Sequence, residues 1–210
     1  MTKILIADDH PVFRQGLMQT LQAASEEIVV EEASNGQEVL SKIFKSSFDA
    51  VFLDISMPGR NGLEVLQELK RVKPDVPVLI LSMYSEDQYA VRAMKAGASG
   101  YLTKDGDPTE FVSALKRVLA GKVYFSSNVV EQLISGYDNK DNKPAHELLS
   151  DREYQVMRMI ASGQKLKDIA DELSLSLSAV STHRTRILRK MNMKSNADII
   201  RYALREGLVE

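Results

Sequence analysis

The stretch AVFLD at residues 50–54, continuing as ISMPGRNGLEVL to residue 66, decides how the first half of this 210-residue chain folds. Val51, Phe52 and Leu53 are apolar at successive positions, so a strand made of them has no face that suits water. Val78-Leu79-Ile80-Leu81 repeats the pattern, and each run is followed by a segment of helical period, Leu63 to Val72 and Gln88 to Ala96. Strands buried on both faces belong in a parallel sheet between two layers of helix, because the crossover helices cover the faces.

Outward from that stretch the same alternation continues. Ile4 to Ala7, Val12 to Ala24, Ile28 to Ala33 and Gln37 to Phe44 precede it, and Gly100 to Leu102 and Thr109 to Ala120 follow, making five strand–helix units. The reading is α/β: a doubly wound, five-stranded parallel sheet whose ligands sit beyond the carboxyl ends of the strands, near the switch in strand order. The pattern then changes. A short helix from Asn128 to Ile134 leads into SGYDNKDNKPAHE at 135–147, polar and nearly without apolar anchors, which reads as a linker. From Leu149 onward only helices are signalled. Ser150 and Glu153 form a capping box, Gly163 ends the helix, and Leu166 to Leu173, a turn at Ser174-Leu175-Ser176 and Leu177 to Met191 follow. A last helix begins after Ser195 and ends at Gly207, completing a small all-α four-helix unit. The expected divisions are 1–122, 123–147 and 148–210.

Composition removes several classes of function. With no cysteine, disulfides, thiol nucleophiles and Cys-based zinc sites are excluded. No apolar run approaches the ~20 residues that span a bilayer, and the first apolar run ends at Asp8 and Asp9, unlike a secretory signal. A cytoplasmic protein without membrane attachment is expected. The net charge of -2 conceals an asymmetry: residues 1–130 hold 14 basic and 17 acidic side chains, residues 151–210 hold 11 and 8. Arg184, Arg186, Arg189, Lys190 and Lys194 occur with no acidic residue between them, a positive stripe suited to a polyanion or, more blandly, a solvated helix face.

Chemistry concentrates at the strand ends. Asp8 and Asp9 follow the first strand, Asp54 the third, Ser82 ends the fourth and Lys104 lies just past the fifth. A parallel sheet brings all five to one edge. Three carboxylates there repel unless a hard dication such as Mg2+ binds or a proton is kept. An oxygen-only site with a lysine and a hydroxyl suits phosphoryl transfer, in which cations neutralise the transferred oxygens and a carboxylate attacks in line. Singly each residue has an ordinary structural role: Asp9 can cap the helix near Pro11, and Lys104 can be an ion-pair partner.

The stretches ILIADDHPVFRQGL, AVFLDISMPGRNGLEVL, VLILSMYSED and AMKAGASGYLTKD together resemble a two-component response regulator receiver domain over residues 1 to about 120. The resemblance implies a flavodoxin-like sheet, with Asp54 accepting a phosphoryl group from a phosphohistidine of a sensor histidine kinase. It implies Mg2+ held by Asp9, Asp54 and the backbone carbonyl of Ser56, with Asp8 assisting. Lys104 would pair with the phosphoryl oxygens, Ser82 would turn to hydrogen-bond them, and Tyr101 stands at the aromatic switch position.

In the helical unit, Leu166 to Leu173 and Leu177 to Met191 have the proportions of a helix-turn-helix. Val180, Ile187, Leu188 and Met191 define one buried face, and Ser181, Thr182, Thr185 and Arg189 an opposite one able to meet bases and phosphates. Residues 149–209 resemble a LuxR-type DNA-binding domain, and the whole chain a NarL/FixJ-class response regulator. That resemblance implies double-stranded DNA as partner, a homodimer on an inverted or direct repeat, and contact with RNA polymerase. Two departures bear on the DNA contacts: Lys165-Leu166 stands where relatives often have Ser/Thr-Asn, and Ser178-Ala179-Val180-Ser181 where they often have Lys-Thr-Val-Lys. Phosphate contact then falls more heavily on Arg184, Arg186, Arg189 and Lys190. His183 is read as a packed or phosphate-facing side chain, and His10, His146 and His183 as too scattered for a metal cluster. Two other classes fit the sequence less well. A metal-dependent phosphatase would commonly use a second carboxylate two residues after Asp54, where this chain has Ser56, and an interaction module with a locked receiver and phosphate-independent DNA binding would not need Asp8, Asp9, Asp54, Ser82 and Lys104 together.

Overall fold

The computed structural model describes residues 1–131 and 144–209, with Asp87 and Gln88 described by backbone alone. The chain divides into two units, Met1–Ser135 and Gly136–Glu210. In the first, strands β1 (Thr2–Ala7), β2 (Ile28–Ala33), β3 (Ala50–Asp54), β4 (Val78–Ser82) and β5 (Gly100–Thr103) are all parallel in the order β2-β1-β3-β4-β5. Helices α1 (Pro11–Ala24), α2 (Gly36–Lys45), α3 (Gly62–Val72), α4 (Glu86–Lys95) and α5 (Pro108–Leu119) make the crossovers. Every residue of β3 and β4 is buried, as their unbroken apolar runs require. Ile4, Ile6, Phe52, Leu79 and Leu81 pack with Leu17, Leu21, Phe111 and Leu115 in one core on the α1–α5 side. The alternate residues Leu5, Val51 and Leu53 are equally buried.

Strand order reverses at β1, so the crevice between the ends of β1 and β3 is the switch point. Gly62 opens α3 directly under that crevice. A Cβ there would stand 2.0 Å from the Asp54 carbonyl oxygen, so only glycine lets α3 start so close to the end of β3. Asn61, fully buried, caps this helix through its side chain, which accepts the Leu63 N–H at 2.8 Å.

The second unit contains α6 (Asp151–Ala161), α7 (Leu166–Glu172), α8 (Leu177–Lys190) and α9 (Asn196–Arg205). Both halves of the Ser150–Glu153 capping box form, and Gly163 ends α6 in the left-handed region at φ 85°. Helix ends differ from the sequence reading by one or two residues; at two of the starts, Pro11 and Pro108 occupy first-turn positions counted there as loop. A short 3-10 turn, Ala145–Leu148, forms where the linker was expected to end at 147. His146 explains it: its N–H and Nδ1 both meet the Tyr202 hydroxyl, at 3.3 and 2.9 Å, an anchor that local sequence cannot reveal. Residues 127–131 are helical, while the rest of the expected helix to Ile134 and most of the linker lie outside the described residues. Among the described residues no helix is long and apolar enough to cross a membrane.

Candidate functional site

Parallel registry brings the strand ends together. Ala7 is level with Leu53, Asp54 with Leu81 and Ser82 with Thr103, so the residues just beyond each strand converge. Asp8, Asp54 and Ser82 are almost wholly buried. Lys104 reaches in from the end of β5, its backbone N–H held by the Ser82 carbonyl at 2.8 Å. Its Nζ lies 2.8 Å from Asp54 Oδ2 and 2.8 Å from Asp8 Oδ2, and 5.3 Å from the centre of the Phe13 ring. The other oxygen of Asp54, Oδ1, accepts the Ser56 N–H at 3.1 Å.

Burial makes the Asp54 carboxylate costly, and with the nearby Asp8 charge it pushes the pKa up to about 6 in spite of Lys104. Burial alone would pull Lys104 down, but Asp54 and Asp8 outweigh it and hold the ammonium above its ordinary value. One lysine cannot balance three carboxylates. Single donor atoms of Asp8, Asp9, His10 and Asp54 all lie within 4.8 Å of one another, close to the ~4.2 Å that separates opposite ligands of an ion with bonds of about 2.1 Å. Asp8 Oδ2 and Asp9 Oδ1 are buried without an aligned hydrogen-bond donor, although each has a cationic or ionisable nitrogen at 2.8 Å. This oxygen-rich donor set fits a hard divalent cation.

Two residues of the pocket were not singled out from sequence. His10 is not scattered from the acidic site but part of it: its N–H donates to Asp8 Oδ1 at 2.8 Å, and its Nδ1 lies 2.8 Å from Asp9 Oδ1. The available signal was its position between Asp9 and the helix-starting Pro11. His10, not Asp9, is the N-cap residue of α1, and it makes no side-chain cap. Arg14, one turn into α1, donates to the Asp8 carbonyl at 2.7 Å and pairs with Glu32 at 2.7 Å, fixing the backbone from which Asp8 projects.

Beside the pocket, Ser82 Oγ accepts the Tyr84 N–H at 3.0 Å, while the Tyr84 carbonyl accepts the Tyr101 hydroxyl at 2.8 Å. The Tyr101 ring is turned inward, 3% exposed. The Ser82 hydroxyl and the Tyr101 ring are thus held by the two sides of one peptide segment.

In the second unit α8 is capped by Ser176, whose side chain accepts the Ala179 N–H at 3.1 Å. Val180, Ile187 and Met191 are buried, and Leu188 is half-buried beside them. Thr182, Thr185, Arg186, Arg189 and Lys194 are exposed; Ser181, His183 and Arg184 are half-buried. Ser181, Thr182, Thr185, Arg186 and Arg189 line one shallow depression. The Thr182 and Thr185 hydroxyls donate back to the Ser178 and Ser181 carbonyls at 2.9 Å each, leaving their methyls and acceptor lone pairs outward. Two basic residues are engaged inside the unit. Lys190 Nζ lies 2.6 Å from the buried Glu153 carboxylate, and Arg184 Nε donates to Asn196 Oδ1 at 2.6 Å. Burial raises the Glu153 pKa, but Lys190 and the Ser150 N–H outweigh it and hold it below the ordinary range.

Comparison with known proteins matches both units. Residues 4–116 match the response regulator receiver domain family, and residues 147–203 the bacterial regulatory proteins of the luxR family. Response regulator GacA of Pseudomonas syringae pv. syringae is 36% identical, the match covering 100% of this chain and 99% of the relative. Response regulator UvrY of Escherichia coli K12 is 34% identical over 99% of this chain and 96% of its own. The fold is shared with RcsB from Salmonella enterica serovar Typhimurium, solved bound to promoter rprA with the phosphomimetic BeF3-, at a TM-score of 0.63 and 22% identity over 96% of this chain and 98% of that one. With both halves matched in this order along nearly its whole length, the chain belongs to the response regulators of the NarL/FixJ class, which join a receiver to a LuxR-type helix-turn-helix domain.

Proposed function

We propose that this chain is a cytoplasmic, DNA-binding regulator of transcription switched by phosphorylation of Asp54, not an enzyme that turns over a substrate. The observation that carries this reading is Lys104 Nζ at 2.8 Å from both Asp54 Oδ2 and Asp8 Oδ2, in a pocket where burial and carboxylate repulsion leave negative charge in excess. An oxygen of Asp54 attacks the phosphorus of a phosphohistidine on a sensor histidine kinase. The O–P bond forms as the N–P bond breaks, and its electron pair returns to the imidazole. Lys104, freed from part of its pairing with Asp54, turns to the phosphoryl oxygens, and the Ser56 N–H keeps the acceptor carboxylate in register. Asp8, Asp9, Asp54 and the Ser56 carbonyl would hold Mg2+, which when bound neutralises developing charge on the transferred group.

Ser82 then gives up the Tyr84 N–H to hydrogen-bond the phosphoryl group, and the loop that anchors Tyr101 is released. The output is double-stranded DNA, bound by the outward face of α8. Arg186, Arg189 and Lys194 meet phosphates, and Ser181, Thr182, His183 and Thr185 face the groove. Arg184 and Lys190 contribute by holding α8 against α9 and α6. The DNA-bound species is a homodimer, and RNA polymerase is a further partner in keeping with a regulator of transcription. The direct test is incubation with Mg2+ and a small phosphodonor: one acid-stable but hydroxylamine-labile phosphoryl adduct per chain is expected by mass, and none on D54A. An adduct of equal yield on D54A would reject Asp54.

A further inference from the structure

The chain leaving α5 does not quit the receiver unit at once. The Tyr124 N–H donates to the Ser99 carbonyl at 2.8 Å, and the Tyr124 carbonyl accepts the Tyr101 N–H at 3.1 Å, a parallel bridge along the outer edge of β5. Residue 100 has to be glycine for this approach, because a Cβ there would stand 2.7 Å from the Tyr124 carbonyl oxygen and 2.6 Å from a Leu79 methyl. Two residues later the Ser126 N–H donates to Glu86 Oε1 at 2.9 Å. Ser126 also starts the helical turn at 127–131: its Oγ accepts the Val129 N–H at 3.4 Å and its carbonyl the Val130 N–H at 3.3 Å.

These two anchors differ in kind. Tyr124 is fixed to a strand that belongs to the rigid sheet. Glu86 is the first residue of α4 and follows directly on the loop Met83-Tyr84-Ser85, whose Tyr84 is hydrogen-bonded to Ser82 on one side and to Tyr101 on the other. Ser126 is therefore tied to the element whose entry loop is held by the Ser82 and Tyr101 hydroxyls, while Tyr124, two residues before it, is tied to the backbone of β5. A displacement of the start of α4 relative to β5 must appear as a change at Ser126, since the chain between the anchors is one residue long.

We propose that Glu86 is a transmission residue, whose hydrogen bond to the Ser126 N–H couples the phosphoacceptor pocket to the segment that leads out of the receiver unit. The proposal rests on the phosphoacceptor reading of Asp54. When Ser82 turns toward the phosphorylated carboxylate, the 83–85 loop and the first turn of α4 shift, Glu86 releases Ser126, and the turn at 127–131 loses the orientation of its N-cap. Tyr124 stays on β5, so the change acts as a pivot about that residue and not as wholesale detachment. Glu86 touches no reacting atom and acts only through position.

The test is amide hydrogen exchange on the full chain with Mg2+, with and without a small phosphodonor, alongside intact mass to count phosphoryl groups. Peptides covering 126–131 of the parent protein are expected to exchange several-fold faster once phosphorylated, and those covering 99–103 to stay unchanged. In E86A the 126–131 peptides should exchange at the fast rate without phosphodonor and change no further with it, while phosphoryl uptake equals the parent's. E86Q keeps an acceptor oxygen and should restore the slow rate. If one phosphoryl group is taken up and exchange at 126–131 does not respond, the coupling is overturned and the phosphoacceptor reading stands. If no phosphoryl group is taken up, both fall.

Discussion

Asp54 holds a charge that its surroundings oppose. Its folded pKa of about 6 lies above the ordinary 3.8, so the folded chain binds the proton more tightly than the unfolded one. The stability that Asp54 contributes is therefore fully present below the unfolded value and is lost as pH rises through the interval up to about 6. The rise from 3.8 to about 6 corresponds to about 3 kcal/mol of lost stability at neutral pH. D54N, which cannot ionise, should flatten that dependence and be more stable than the parent at pH 7 in the presence of a chelator, as read by urea denaturation at several pH values. A stability difference between parent and D54N that does not change between pH 4 and 6.5 would contradict this. Mg2+ should offset the same repulsion: the parent's Tm rises with Mg2+ and returns with chelator, while D9N loses most of the increment.

At the scale of elements, α8 separates two jobs that look alike in sequence. Arg189 is exposed and Lys190 is paired with buried Glu153. R189A should weaken DNA binding about evenly across sequences and lower the slope of log K against log salt by roughly one, with little effect on stability. K190A should instead cost roughly 1–3 kcal/mol of unfolding free energy by stranding the buried carboxylate, and leave the salt slope nearly intact. Equal slopes for both variants would reject the distinction. At the start of α3, G62A is expected to lose more than about 2 kcal/mol, because its Cβ would meet the Asp54 carbonyl at 2.0 Å; urea denaturation of the variant checks it.

These contrasts also mark what sequence makes legible. The sheet is written in unbroken apolar runs such as Val51-Phe52-Leu53, and parallel topology then forces Asp8, Asp54, Ser82 and Lys104 to one edge, so fold and pocket follow from local pattern. Partners set only by tertiary packing do not. The pairing of Lys190 with Glu153, of His146 with Tyr202 and of Glu86 with Ser126 spans 37, 56 and 40 residues, beyond any periodicity. His10 was hidden differently: its place in the pocket depends on how Pro11 and Arg14 set the α1 entry, not on spacing to another ligand.

The whole molecule carries an anionic pocket in one unit and a basic helix face in the other, and the proposed function has the chemistry of the first govern the affinity of the second. Full-length protein should be titrated with promoter DNA across a salt series, with and without Mg2+ plus a small phosphodonor, in parallel with D54A. Phosphodonor is expected to raise affinity at least several-fold in the parent and not in D54A, with affinity falling steeply as salt rises in both. Binding that is the same in every sample, or a D54A response equal to the parent's, would contradict control of DNA binding by Asp54.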